Sequence, residues 1–221
     1  MKKKHVRPVI DKSTTDIVIV LDRSGSMKKI AESTVSGFNE FINEHKNAEG
    51  EATITLAQFD DRYEMLYNCI PVKEVNDLVL GETFIPRGTT ALLDAIGRTI
   101  NSVNSTNDVI FFILTDGQEN ASVEYSKDDI SKLIKEKEDK NEWKFIFLAA
   151  NQDAIQTGNS IGIKSNMAMT YAATAAGAGS AFKSMSKNTR SYRSSKLSST
   201  LETVSVTELN FTDEQRNEQN L

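Results

Sequence analysis

The chain has 221 residues, 38% of them hydrophobic, and a formal net charge of −5. That length supports one α/β domain with appendages, and the acidic balance gives no bulk attraction to nucleic acid or anionic lipid. The single cysteine, Cys69, excludes an internal disulfide and suits a reducing compartment.

Residues 1–15 are polar and basic, with Pro8 as their rigid point, and read as a loosely held arm. Lys2, Lys3 and Lys4 imitate the start of a signal peptide, but the next apolar stretch is short and bounded by Asp16 and Asp22. No run approaches the ~20 apolar residues that cross a bilayer, so a cytoplasmic protein is expected. The core begins at residue 16. Ile17 to Leu21 is a continuous β-branched and aliphatic run, the pattern of a strand covered on both faces.

Ile30, Thr34, Phe38, Phe41, Ile42 and His45 then recur at helical spacing. His45 stands far along that helix from Asp22 and reads as a cap or surface residue, not a ligand. Residues 52–59 and 63–68 read as two strands joined by a tight turn at Asp60-Asp61, an antiparallel hairpin. Leu92, Ala95, Ile96, Thr99, Ile100 and Val103 form one helix face, which places Thr90 at a helix N-terminus. Residues 109–114 are another buried strand, 127–140 a charged helix and 144–150 a further strand.

Residues 153–161 predict a short helix, 167–170 a short edge strand, and 172–190 an Ala-rich helix weakened by Gly177 and Gly179. The Gly-x-Gly in that helix follows no strong strand and is not a dinucleotide fingerprint. Lys183, Lys187, Arg190 and Arg193 predict one basic stripe along it, a solvated face or a seat for phosphate groups. Residues 191–221 read as a polar, mobile tail, although Leu197, Leu201 and Val204 are spaced like a helix face and Thr212 to Gln215 resembles a capping box. Strands alternate with helices throughout. The expected fold is α/β, a doubly wound, mostly parallel six-stranded sheet with helices on both faces and one antiparallel edge strand.

Three fragments carry the chemistry. Asp22-Arg23-Ser24-Gly25-Ser26 follows the first strand, Gly88-Thr89-Thr90 opens a helix, and Thr115-Asp116-Gly117 follows the fourth strand. In the strand order 3-2-1-4-5-6 the ligand crevice opens between the first and fourth strands, beyond their carboxyl ends. Taken singly, Asp22 or Ser24 reads as a helix cap and Asp116-Gly117 as a turn. Together they offer only oxygen donors around one switch point, which suits a hard cation such as Mg²⁺, Mn²⁺ or Ca²⁺ better than zinc or copper.

Asp22-x-Ser24-x-Ser26, Thr90 with the following Ala95-Ile96, and Thr115-Asp116-Gly117 resemble the metal-ion-dependent adhesion site of von Willebrand factor type A domains, a likeness that spans residues 16–190. The stretches 21–27, 86–92 and 145–154 resemble more narrowly a group of single-domain bacterial and phage members with no settled biochemical role. The resemblance implies that Ser24, Ser26 and Thr90 hold the ion through hydroxyls, with Asp22 and Asp116 bound directly or through water. It further implies that a partner protein supplies an Asp or Glu to complete the shell, and that the last helix can slide as affinity switches. In that frame Gly25 permits a tight turn that aims the serines inward, and Gly88 lets its loop approach closely. Arg23 points to solvent or steers an acidic partner, and Glu119 is either an acceptor beside the site or simply exposed.

Two other functions compete. Asp22 and Asp116 could serve a Mg²⁺-dependent phosphohydrolase, with Asp22 as nucleophile, although Ser24 stands where one such family needs its general acid. The basic stripe could bind nucleic acid, against the acidic whole and with few aromatic residues nearby. A serine hydrolase is the poorest fit, because neither serine lies in Gly-x-Ser-x-Gly.

Overall fold

The computed structural model describes residues 11–150, 153–198 and 206–218. The strands are β1 (Asp11–Asp22), β2 (Glu51–Phe59), β3 (Tyr63–Pro71), β4 (Asn107–Thr115), β5 (Lys144–Ala150) and β6 (Ala168–Tyr171). The helices are α1 (Ala31–Lys46), α2 (Leu92–Ser102), α3 (Lys127–Asn141), α4 (Ala154–Ser160), α5 (Ala175–Ser198) and α6 (Asp213–Glu218). They form one six-stranded sheet in the order β3-β2-β1-β4-β5-β6. All pairings are parallel except β2 with β3, as the alternation of strands and helices requires.

Both faces of the sheet are covered, and β4 shows how. Phe112 meets Phe41 of α1 at 6.3 Å between ring centroids, while its neighbour Phe111 stacks at 6.2 Å on Trp143 and meets the tilted ring of Phe145 at 5.1 Å. Successive strand residues point to opposite faces, so an unbroken apolar run is what a two-sided core demands. Residues 17–21 and 109–114 are all at most 2% exposed.

On one face α1 packs against α5 so closely that a methyl group added at Gly37 would lie 2.6 Å from Cδ2 of Phe182. Overpacking of that kind costs about 1–3 kcal/mol, against about 1 kcal/mol gained from better helix propensity. Gly37→Ala is therefore expected to lose about 1 kcal/mol net, read as a lower urea midpoint at unchanged slope.

Several expectations need correction. The strand begins at Asp11, so residues 11–15 belong to β1 and not to a loose arm; residues 1–10 lie outside the described residues. His45 is neither cap nor surface. It is 1% exposed, 4.3 Å from the Phe41 ring, with Nδ1 accepting from Arg193 Nη1 at 2.8 Å. Burial first, then the charges of Arg193 and Arg190, push its pKa down to about 3.

Arg193 is thereby taken out of the basic stripe: 2% exposed, it also donates to the carbonyls of Glu49 (3.1 Å) and Gly50 (2.8 Å) beyond the end of α1. Lys183, Lys187 and Arg190 remain exposed, with Arg190 Nε 3.5 Å from Glu44. Helix α5 runs eight residues past the expected end, and Lys196 reaches the buried Asp108 at 3.0 Å, where Lys144 joins it.

Nor is the tail mobile throughout. Leu209 is fully buried and Phe211 is 6% exposed. Thr212 and Gln215 form the capping box their spacing suggested, with bonds of 3.0 and 3.2 Å. Arg216 donates to the carbonyls of Ala168 (2.6 Å) and Ser165 (3.0 Å), clasping the end of β6. Leu201 and Val204 lie outside the described residues, and Leu197 is half exposed at the end of α5. No helix among the described residues is long and apolar enough to cross a membrane.

Candidate metal centre

The register that pairs Leu21 with Leu114 sets Asp22 and Thr115 side by side at the carboxyl ends of β1 and β4. Thr115 Oγ1 donates to Asp22 Oδ2 at 2.6 Å, and the Ser24 amide donates to Asp22 Oδ1 at 2.6 Å. Ser24 and Ser26 hydroxyls lie 2.9 Å apart, and Ser26 Oγ donates to Asp116 Oδ1 at 2.5 Å. Asp22, Ser24, Thr90 and Asp116 are each at most 6% exposed.

The sharpest measure of convergence comes from Gly117. A methyl group built there would sit 2.8 Å from Thr90 Oγ1, 3.2 Å from Ser26 Oγ and 3.5 Å from Ser24 Oγ. Three hydroxyls from two loops distant in sequence thus close on one small volume above the glycine. A larger residue at 117 would occupy it.

The electrostatics of the pair are unbalanced. Burial raises Asp22 to about 6, partly offset by the bonds from Thr115 and Ser24 and increased by the charge of Asp116. Burial likewise raises Asp116, while its bond from Ser26 and the charge of Lys29 pull the other way. Neither carboxylate has an ion pair among the described residues. Two buried acids without a salt bridge among the described residues, surrounded by hydroxyl lone pairs, are a donor set suited to a hard divalent cation. Acids and imidazoles alone would not suffice: no group of three His, Cys, Asp or Glu among the described residues could hold an ion.

The surroundings bear on four readings. Arg23 does not point to solvent. It is 4% exposed, with Nη1 2.5 Å from Glu64, 3.4 Å from Gln58 and Nε 3.3 Å from Asp60. Gly25 is not in the left-handed region. Its smallness serves contact instead, because its amide donates to the Gly88 carbonyl at 3.1 Å and a methyl group would sit 3.2 Å from that oxygen. Gly88, at φ +66°, does need glycine: a side chain would meet Asp61 Oδ1 at 2.1 Å. Glu119 faces inward as an acceptor, taking the Leu93 amide at 2.9 Å and the Ser122 amide at 2.7 Å.

Asp60 is the buried group that the sequence reading passed over as a simple turn residue. It is fully buried, accepts the Arg62 amide at 2.6 Å and Arg87 Nε at 2.8 Å, and faces Arg23. The available signal was its position, an acid directly after β2 where Asp22 is the last residue of β1. Through Arg23 N to Phe59 O (2.7 Å), Arg87 N to Arg23 O (2.8 Å) and Ala91 N to Asp60 O (3.0 Å), the end of β2 ties the serine loop to the threonine loop.

The fold is shared with solved structures of low sequence identity. Proximal thread matrix protein 1 from the mussel byssus aligns at TM-score 0.60 and 15% identity, over 82% of this chain and 47% of that one. A von Willebrand factor type A protein from Catenulispora acidiphila aligns at 0.53 and 14%, over 80% and 43%. The ArnB paralog VWA2 from Sulfolobus acidocaldarius aligns at 0.52 and 18%, over 78% and 45%. The chain spans a little under half the length of these structures. No curated protein matches it in sequence. The profile of the von Willebrand factor type A domain does match, over residues 16–192, most of the chain, and the protein belongs to that family.

Proposed function

We propose that the chain is a divalent-metal-dependent protein-binding module. Asp22, Ser24, Ser26, Thr90 and Asp116 would hold a Mg²⁺-like ion, with Mn²⁺ or Ca²⁺ as other occupants of an all-oxygen seat. The convergence of three hydroxyls over Gly117 carries this reading. When bound, the ion supplies an electrophilic vertex for an Asp or Glu of a partner protein.

The chain's own residues do the rest. Thr115 and the Ser24 amide fix both oxygens of Asp22, so the carboxylate is oriented before any cation arrives. Neutral hydroxyls furnish most of the donors and leave positive charge for an incoming carboxylate. Lys28 and Lys29, exposed just beyond Ser26, add attraction for an acidic partner. The module makes and breaks no covalent bonds. A phosphohydrolase would need Asp22 to reach phosphorus, yet its side chain is fully buried and both oxygens are engaged. With Arg193 buried, the basic stripe offers nucleic acid little continuous charge. The exposed, unpaired Cys69 fits a cytoplasmic setting.

Calorimetric titration of EDTA-stripped protein with Mg²⁺, Mn²⁺ and Ca²⁺ tests the seat. Binding is expected for the wild type, weakened at least tenfold in Thr90→Ala. No heat from any of the three salts overturns the reading, and phosphate-ester turnover abolished by Asp22→Asn replaces it with the hydrolase.

A further inference from the structure

We infer that Asn120 is a positioning residue that aims the Thr90 hydroxyl at the metal seat, an inference that rests on the reading of that seat given above. Thr90 lies in an irregular stretch, just before α2, and no regular secondary structure holds it. Its backbone is held instead by the loop that follows Asp116. The Thr90 amide donates to Asn120 Oδ1 at 2.9 Å, and the amides of Asn120 and Ala121 both donate to the Thr90 carbonyl, at 3.0 and 3.2 Å. One asparagine thus satisfies both polar groups of the Thr90 backbone, its side chain accepting and its main chain donating.

That loop is itself fastened to α2. Glu119 accepts the Leu93, Ala121 and Ser122 amides at 2.9, 3.0 and 2.7 Å, and Ser122 Oγ accepts the Asp94 amide at 3.1 Å. Asp94 returns the bond, its carboxylate accepting the amides of Val123, Glu124 and Tyr125 at 2.9, 2.9 and 3.0 Å. The loops bearing Thr90 and Asp116 are therefore one hydrogen-bonded body. Asn120 is exposed and contributes little to the core, so its bond to Thr90 is explained by aim more than by packing.

The test compares Asn120→Ala, Asn120→Asp and, as a control on the same surface, Arg98→Ala, which removes the pair with Glu124 and touches none of these bonds. Mg²⁺ affinity is read by calorimetry, unfolding midpoints in EDTA, and Thr90 amide exchange in the metal-free protein. Partners of metal ligands are typically worth 10–100-fold in affinity. Asn120→Ala is expected to weaken Mg²⁺ binding about tenfold or more and to speed exchange of the Thr90 amide, at a nearly unchanged EDTA midpoint. Asn120→Asp keeps an acceptor oxygen and restores both, and Arg98→Ala changes neither. If the wild type binds Mg²⁺ and Asn120→Ala binds it within twofold, or if the EDTA midpoint falls while affinity holds, the positioning role is overturned and the seat stands. If the wild type binds no ion, the seat itself is overturned, and accelerated Thr90 exchange in Asn120→Ala still reports the bond.

Discussion

Asp22→Asn is expected to make the metal-free protein more stable at neutral pH while abolishing its response to Mg²⁺. Asp22 is fully buried and its pKa is raised from 3.8 to about 6, with burial the largest cause. A carboxyl whose folded-state pKa lies above its unfolded value prefers its proton in the native state. Ionisation therefore destabilises the fold progressively as pH rises from 3.8 to about 6, and the full penalty, about 3 kcal/mol, applies above that window.

Asparagine keeps the shape without the charge. Its oxygen can accept the Ser24 amide, and its NH₂ can face Thr115, whose hydroxyl already lies 3.0 Å from the Gly117 carbonyl and can donate there. Denaturation in EDTA from pH 4 to 8 should show the wild type losing stability across the window and the variant losing less, since burial still raises Asp116, with the variant ahead by up to about 3 kcal/mol at pH 7. Mg²⁺ at about a thousandfold its Kd should then reverse the order, since it contributes about 4.1 kcal/mol to the wild type alone. A variant less stable than wild type in EDTA at pH 7 would show that Asp22 is held for its charge by something within the protein.

Arg23→Ala should produce the largest loss of stability without damage to the seat. The guanidinium is 4% exposed and lies between Asp60, Glu64 and Gln58, and Asp60 is itself fully buried. Removing one member of a buried charge group costs about 3–5 kcal/mol, because the acid left behind has lost both water and partner. Arg87 still reaches Asp60 from a half-exposed position, which places the loss near the lower end. The main-chain bonds of residue 23 to Phe59 and Arg87 do not depend on its side chain, so Mg²⁺ affinity of the folded variant should stay within about threefold. Arg87→Ala, more exposed, should cost clearly less than Arg23→Ala. If Arg23→Ala kept its denaturation midpoint yet slowed association with an acidic partner, Arg23 would be a steering charge after all.

The fold was legible because its driving force is written in runs. Ile17 to Leu21 and Val109 to Leu114 could only be strands covered on both faces, and the hairpin at Asp60-Asp61 marked the antiparallel edge. The order of strands then brings Asp22 and Asp116 to one edge by topology, and the three hydroxyl-bearing fragments follow. What stayed hidden were side chains whose partners are distant in sequence. Arg23 beside two serines looks like a solvent residue until Asp60 and Glu64 are folded against it. His45 and Arg193 are 148 positions apart, and nothing in either neighbourhood announces that each buries the other.

Asn120 shares that character, since its role is defined by the backbone of Thr90 and not by its own neighbours. The C-terminal misreading had another cause. Composition weighs ordering entropy against average apolar content, whereas a few well-placed groups, Leu209, Phe211 and Arg216, suffice when a surface is waiting for them.

The clasp of Arg216 on the four-residue β6 also governs how copies of this protein can meet. With the Ala168 and Ser165 oxygens already taken and the strand so brief, the outer margin offers a neighbouring chain only a short ladder to zip onto. Fibrous growth is disfavoured at that margin, whereas the opposite one, the nine-residue β3, offers a longer run of backbone.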